Sequence, residues 1–111
     1  MATISNLYVD AGATYSNIIT VTASNGQALN LTGYSVASQM RKSYQSSTAY
    51  DFTASIYDAN NGKIRLQLTD SDSAAIPAGR WLYDVEITST GGTKTRVVEG
   101  IVTVNPQITQ V

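Results

Sequence analysis

The sequence predicts an all-β fold, a small antiparallel sandwich of about seven strands. Apolar and polar residues alternate with a period of two along most of the 111 residues, which is typical of half-buried strands. Dipeptides that favour tight turns, such as Asn-Gly and Gly-Gly, separate the alternating runs at a spacing of about ten residues. The chain also holds 12 Ser and 14 Thr, and Thr suits strands as Ser suits loops.

The clearest predicted strand spans residues 80–88, where Trp81, Tyr83, Val85 and Ile87 share one face. The opposite face carries mostly polar side chains, so we expect the apolar face to lie in the core. Further strands are predicted at residues 15–22, 34–41, 51–58, 63–68 and 96–104, with a weaker one at 4–9. The expected core consists of Val36, Met40, Phe52, Ile56, Leu66, Leu68, Trp81, Tyr83, Val85 and Ile87.

Turn residues predict which of these strands pair. The dipeptides Asn61-Gly62 and Gly91-Gly92 supply the positive φ angles that tight hairpin turns require. Two antiparallel hairpins are therefore expected, 51–58 with 63–68 and 80–88 with 96–104.

Residues 69–79 depart from the alternation and predict a short helical turn near residues 70–76. Asp70 or Ser71 is the expected N-cap, because both side chains can accept hydrogen bonds from the free N–H groups of a first turn. The alternative is that Asp70 and Asp72 bind calcium. A calcium loop needs further oxygen ligands at set spacings, and none follows here, so the capping interpretation is favoured.

Composition excludes several classes of function. With no Cys and no His, the chain cannot form disulfides, thiol nucleophiles, zinc sites or histidine-dependent triads. Seven basic and eight acidic residues give a net charge of −1, which argues against a nucleic-acid or membrane-surface partner. We expect no cofactor and no metal. A single domain over residues 1–111 is expected, with short arms at 1–13 and 107–111 that order on a neighbouring subunit.

Asp84 and Glu86 are the acidic pair closest to a catalytic arrangement. They lie two residues apart on one strand face, as paired carboxylates in some active sites do. Such a face of a sandwich is usually solvated, and no second acidic cluster indicates a cleft. We therefore expect that the protein is not an enzyme.

The segment from residue 41 to 50 is the predicted protein-contact site, through Arg41, Lys42, Tyr44 and Tyr50. Cations mixed with aromatic residues also occur in single-strand nucleic-acid binders, but seven cations in the whole chain are too few for a charged groove. Arg and Tyr often anchor protein interfaces, which favours a protein contact, with a merely solvated loop as the alternative. We expect that replacing Tyr44 and Tyr50 together leaves the stability nearly unchanged.

Six stretches of the sequence carry a family resemblance. They are LTGY (31–34), ASQMRKS (37–43), STAYDF (47–52), GKIRLQLT (62–69), IPAGRWLYDVEI (76–87) and RVVEGIVTVNP (96–106). Together they resemble a small virion protein found in T4-like phages of marine cyanobacteria, over residues 30–106. Their order is also similar to that of the immunoglobulin-like domain of upper baseplate proteins in tailed phages.

The resemblance implies an immunoglobulin-like sandwich with a structural role in a tailed-phage virion, after synthesis in the host cytoplasm. It implies contact with other virion proteins, in many copies, in the tail or baseplate region. Because the shared motifs are strand and turn motifs, the resemblance transfers no catalytic residue. Two alternatives stay open. One is a decoration protein on the capsid exterior, and the other is a glycan-binding module that uses Trp81, Tyr44 and Tyr50, although Trp81 is more typical of a core residue.

Overall fold

The computed structural model describes residues 3–23, 26–43 and 45–106. These residues form eight strands, a short α-helix and a 3-10 turn, with the loops that connect them. The strands are β1 (Thr3–Ile4), β2 (Leu7–Asp10), β3 (Tyr15–Thr20), β4 (Ser35–Arg41), β5 (Ala49–Asp58), β6 (Lys63–Leu68), β7 (Gly79–Thr88) and β8 (Lys94–Asn105). The 3-10 turn (Ala59–Asn61) follows β5, and the helix α1 (Asp70–Ala74) follows β6. The predicted all-β, sandwich-like class is confirmed. Neither helical segment is long and apolar enough to cross a membrane.

The strands form two sheets that share β5. In the first sheet, β8 lies between the two N-terminal strands and β7, and β4 joins β7 to the first half of β5. In the second sheet, β6 lies between the second half of β5 and β3. Both predicted hairpins form, since β5 pairs with β6 and β7 pairs with β8 in antiparallel fashion. Buried side chains from both sheets make one continuous core.

The N-terminal segment is part of the first sheet. Residues predicted as one weak strand form β1 and β2, which both pair with β8 in parallel, and Leu7 lies opposite Val102. The side chains of Leu7 and Val9 are buried in the core. This differs from the expectation that residues 1–13 order only on a neighbouring subunit, because Leu7 and Val9 are covered within the chain itself. The other expected arm, 107–111, lies outside the described residues.

A close approach between two backbones joins the N-terminal segment to β8. A Cβ atom at Gly100 would lie 2.2 Å from the carbonyl oxygen of Ser5, so only glycine fits at this position. The Ser5 carbonyl accepts a hydrogen bond from the Tyr83 hydroxyl instead of joining the β-ladder. Asn6 compensates, since its Oδ1 accepts from the Ile101 N–H at 3.1 Å. This exchange of partners accounts for the interruption between β1 and β2.

Eight of the ten residues predicted for the core are buried, and Val36 and Ile56 are half-buried. Val36 lies before the stretch of β4 that pairs with β5, which begins at Ser38. Ile56 lies at the irregularity in the pairing of β5 with β6. Sequence reasoning omitted several further buried residues, namely Leu7, Val9, Val21, Leu31, Ile64, Ile76, Val98, Val102 and Val104.

The N-cap of α1 is Thr69, and the prediction of Asp70 or Ser71 is wrong by one or two positions. The Thr69 side chain accepts a hydrogen bond from the N–H of Asp72 at 3.1 Å. Asp70 and Asp72 lie in the first turn, where negative charge is favourable beside the free N–H groups. All of these residue types can cap, and the position at which β6 ends decides which of them does.

Ser73 fixes α1 against the turn that follows β2. Its side chain is fully buried, donates a hydrogen bond to the Ala13 carbonyl at 2.8 Å and accepts one from the Gly12 N–H at 3.0 Å. A buried hydroxyl is tolerated when its donor and acceptor capacities are used, as they are here.

Candidate protein-contact surface

Two of the predicted contact residues pack on the ring of Trp81. The Tyr50 ring meets it edge-on with the ring centroids 5.3 Å apart. The Lys42 ammonium lies 4.9 Å from the same ring and donates a hydrogen bond to the Arg80 carbonyl at 3.1 Å. Both side chains thus make intramolecular contacts, and their role in a protein contact stays a prediction.

Arg41 organises the loop that follows β4. Its guanidinium donates to the Ser46 carbonyl at 2.7 Å and to Oε1 of Gln39 at 3.1 Å. The fourth predicted residue, Tyr44, lies outside the described residues. Arg41 therefore shapes the 41–50 segment from within, and any contact role of this residue would be added to that structural one.

Replacing Tyr50 with serine should lower the free energy of unfolding by about 1–2 kcal/mol, because the change removes half-buried apolar area and an aromatic pair. The expectation that Tyr50 can be lost without effect on stability is thus revised, since its ring covers Trp81. Urea unfolding of the variant measures the change. Tyr57→Ser is a matched control at a 51% exposed position of the same strand and should have a smaller effect. Equal losses for the two variants would contradict the assigned packing.

Trp81 is a core residue, as favoured from its strand face. Its side chain is 3% exposed, and its indole N–H donates to the Pro77 carbonyl at 2.9 Å. A glycan cannot stack on a ring covered by Tyr50 and Lys42. The glycan-binding alternative therefore loses its principal aromatic platform.

The predicted site borders the solvent-facing side of β1, β2, β8, β7 and β4, here called the outer face. Strand register places its side chains in rows, one of which runs from Ile101 through Leu82 to Arg41. A shallow groove of about 280 Å³ crosses it. The groove is lined by Gln39, Arg41, Ser43, Leu82, Tyr83, Asp84, Glu86, Arg96 and Glu99.

Ion pairs link three of the five charged residues that line this groove. Arg96 lies 3.1 Å from the Asp84 carboxylate and 3.4 Å from that of Glu99. Burial, and then the neighbouring carboxylate of Glu86, raise the pKa of Asp84 above its ordinary value, while Arg96 opposes this shift. Asp84 thus lies in a salt bridge with Arg96, and its carboxyl is partly buried beside that of Glu86.

An apolar patch borders the groove at the N-terminal edge of the sheet. Ile4 is 73% exposed, Tyr8 is 70% exposed and Ile101 is 36% exposed. These three residues (the edge patch) are diagonal neighbours on the outer face, since Ile101 lies between the rows that hold Ile4 and Tyr8. Sequence reasoning missed the edge patch, although Leu7-Tyr8-Val9 is apolar on both strand faces, which is the signal that could have found it.

Tyr83 connects the core beneath the groove to the N-terminal segment, and burial raises the pKa of its hydroxyl to about 12 from 10.0. A raised pKa means that the folded state keeps a proton that the unfolded state loses, so the stabilising contribution is complete below pH 10 and is lost as the pH rises towards 12.

Between pH 10 and 12, ionisation of Tyr83 should lower the free energy of unfolding of the parent protein by up to about 1.4 kcal/mol per pH unit. Tyr83→Phe should remove this contribution to the pH dependence. Denaturant unfolding of both proteins at a series of pH values measures the two slopes. At neutral pH the variant should be less stable by a constant amount, because the Ser5 carbonyl loses its donor. Parallel curves across the alkaline range would show that ionisation of Tyr83 is not linked to unfolding.

No group of three or more potential metal ligands occurs within residues 3–23, 26–43 and 45–106. Asp70, one of the two candidate calcium ligands, accepts a hydrogen bond from the N–H of Ser71 at 2.9 Å. The first helical turn thus explains both acidic residues without a cation.

Structural comparison relates the fold to a phage protein domain. The N-terminal domain of ORF48 of phage TP901-1 matches with a TM-score of 0.58 and 18% identity, over 91% of this chain and 85% of that one. An internalin-like protein of Listeria monocytogenes matches at 0.48, with 12% identity over 94% of this chain and 28% of that one. A family 123 glycoside hydrolase from Clostridium perfringens matches at 0.39, with 10% identity over 95% and 23%. No protein-family model and no curated protein matches the sequence. The first match shows a shared fold, and the two weaker ones carry no argument.

Proposed function

We propose that this chain is a non-enzymatic structural protein of a tailed-phage virion and acts by protein–protein contact in the tail or baseplate region. The observation that carries the proposal is the fold shared with the TP901-1 ORF48 domain, because it spans nearly all of both chains. The sequence resemblance to small cyanophage virion proteins over residues 30–106 points the same way. We also propose that the sandwich is immunoglobulin-like, in line with its two sheets joined through β5.

The outer face is the surface proposed to make the contact. Its groove is open and does not form an enclosed cavity, and Arg96 pairs with two of its three carboxylates. The adjoining edge patch exposes an aromatic and two aliphatic side chains, and contiguous apolar surface of this kind commonly marks protein contacts. A paired-charge groove beside an apolar patch resembles the rim and centre of a protein interface.

Detection of the chain in purified phage particles tests the proposal. Particles are separated into heads, tails and baseplates, and quantitative mass spectrometry measures the number of copies in each fraction. We expect the chain in the tail or baseplate fraction, at a copy number that matches a symmetric ring. Recovery with heads, at on the order of hundreds of copies, would support the capsid decoration alternative instead. Absence from all fractions would overturn the virion role.

A further inference from the structure

We propose that β2 is a self-association edge, at which two copies of this chain pair their β2 strands in antiparallel fashion. The inference deepens the proposed function and rests on it, since it names a partner for the same surface. The first sheet of one copy and the first sheet of the other would then join into one continuous sheet across a two-fold axis.

The lateral edge of β2, on the side away from β8, carries backbone groups that point away from the sheet. β2 pairs with β8 alone, at the end of the first sheet. Ser5 and Ala11 donate their N–H groups to carbonyls of the β8 strand, at 2.9 and 3.0 Å. Because backbone direction alternates along a strand, Tyr8 directs both of its backbone groups to the open side, as Asp10 does its N–H. The Asp10 carbonyl accepts from the Ala13 N–H at 3.1 Å in the turn that follows β2.

Apart from its short length and the interruption that precedes it, this edge lacks the features that usually prevent strand addition. Natural edges carry Lys, Pro, a bulge or an inward-facing polar group. β2 has a single charge, at Asp10, and its inward-facing residues are the buried Leu7 and Val9. At the edge of the second sheet, by contrast, β3 turns Asn17 inward and is bordered by Lys63 and Arg65 of β6. The first sheet therefore offers the better edge, although a four-residue strand permits only a short ladder and a modest affinity.

The directions of the backbone groups allow a register that is centred on Tyr8. With Tyr8 on the two-fold axis, each Tyr8 N–H donates to the Tyr8 carbonyl of the second copy. Each Asp10 N–H then lies opposite the Asn6 carbonyl of the second copy. Leu7 then lies opposite Val9 of the second copy on the inner side.

Charge favours the same register. With the axis at Tyr8, each Asp10 carboxylate lies opposite the neutral side chain of Asn6 of the second copy. Within its own chain, this carboxylate accepts from Asn105 Nδ2 at 3.1 Å and Asn6 Oδ1 accepts from the Ile101 N–H at 3.1 Å. With the axis moved to Asp10, the two carboxylates would lie directly opposite each other, which is unfavourable. The single charge of the strand thus selects against the neighbouring alternative.

The edge patch lies beside the proposed junction. Tyr8, 70% exposed in the single chain, would contact its counterpart across the axis. Ile4 and Ile101 of each copy would flank this aromatic pair on the outer face. Pairing therefore covers apolar side chains as well as backbone groups, and this explains why the strand is apolar on both faces.

Sedimentation velocity over a range of concentrations tests the proposal on the unmodified chain. We expect a reversible dimer, and a chain that stays monomeric up to about 1 mM would overturn the inference. Tyr8→Lys should weaken association at least about tenfold, because it places two ammonium groups together at the axis. Ile18→Lys, at an exposed position of β3, is the matched control and should leave association unchanged. Equal weakening by both variants would indicate pairing of β2 with β3 and would also overturn it.

Disulfide cross-linking gives a second test that does not depend on affinity. The chain has no cysteine, so Tyr8→Cys introduces a single thiol. Hydrogen-bonded antiparallel residues have Cα atoms about 5.5 Å apart, within the range that a disulfide spans. Mild oxidation should convert this variant, and not Ile18→Cys, to a covalent dimer. Failure of Tyr8→Cys to cross-link while Ile18→Cys does so would place the contact on the other sheet. These solution results are independent of particle detection, so failure of one proposal is distinguishable from failure of the other.

Discussion

Replacing Trp81 with alanine should lower the free energy of unfolding by about 3–5 kcal/mol, the loss expected for a large aromatic residue removed from a core. The side chain is 3% exposed and is covered by Tyr50 and Lys42. Its removal would also leave the Pro77 carbonyl without the indole donor. Small domains have a total stability of about 5–15 kcal/mol, so the variant should lose a large share of its stability.

Urea unfolding followed by far-ultraviolet circular dichroism measures the Trp81→Ala effect, since the variant has lost its only tryptophan for fluorescence. Leu82→Ala is the matched control, because its half-exposed side chain lies on the outer face of the same strand. It should cost about 1 kcal/mol. A loss below about 1 kcal/mol for Trp81→Ala would mean that the ring is not part of the core.

Gly100→Ala should destabilise the protein by about 3 kcal/mol, although it adds a single methyl group. The new Cβ atom would lie 2.2 Å from the Ser5 carbonyl oxygen and 2.9 Å from its carbonyl carbon. Both are backbone atoms, so no side-chain rotation can relieve the overlap. The N-terminal segment must move away from β8, which breaks the hydrogen bond from the Tyr83 hydroxyl to Ser5.

Two measurements check the Gly100 prediction. Thermal or urea unfolding gives the loss of stability, with Gly91→Ala as the control, because the nearest atom to a Cβ there is a side-chain oxygen at 3.8 Å. The control should stay within about 0.5 kcal/mol of the parent protein. Hydrogen exchange should show loss of protection at Ser5 and Ala11, whose N–H groups bond to the β8 strand, while amides between β4 and β7 stay protected. Retained protection at Ser5 would contradict the predicted displacement.

Local patterns predicted the central strands well. The alternation of Trp81, Tyr83, Val85 and Ile87 identified β7 with its buried face, because a strand that is half-buried in an antiparallel sheet must alternate. Gly62 at φ 67° ends the 3-10 turn between β5 and β6, where the Asn-Gly dipeptide indicated a turn. These properties depend on residues close in sequence, so the sequence displays them directly.

The candidate surface was predicted only in part. Residue types at Arg41, Lys42 and Tyr50 indicated an interface. The side chains of Lys42 and Tyr50, however, pack on the ring of Trp81, which lies on a strand distant in sequence. The edge patch escaped prediction because its members come from β1, β2 and β8, and it exists only through parallel pairing of the two chain ends. Local sequence patterns do not indicate a pairing between residues that lie 95 positions apart.

The sequence by itself determined the all-β class, the two hairpins, most of the core and the absence of cysteine and histidine chemistry. Tertiary structure alone decided that the N-terminal segment closes the first sheet, that Thr69 caps α1 and that Tyr50 covers Trp81. The physical reason is the range of the interactions involved. Periodicity and turn preference act between near neighbours, whereas the partner of an edge strand depends on which backbone groups remain unpaired after the rest of the chain has folded.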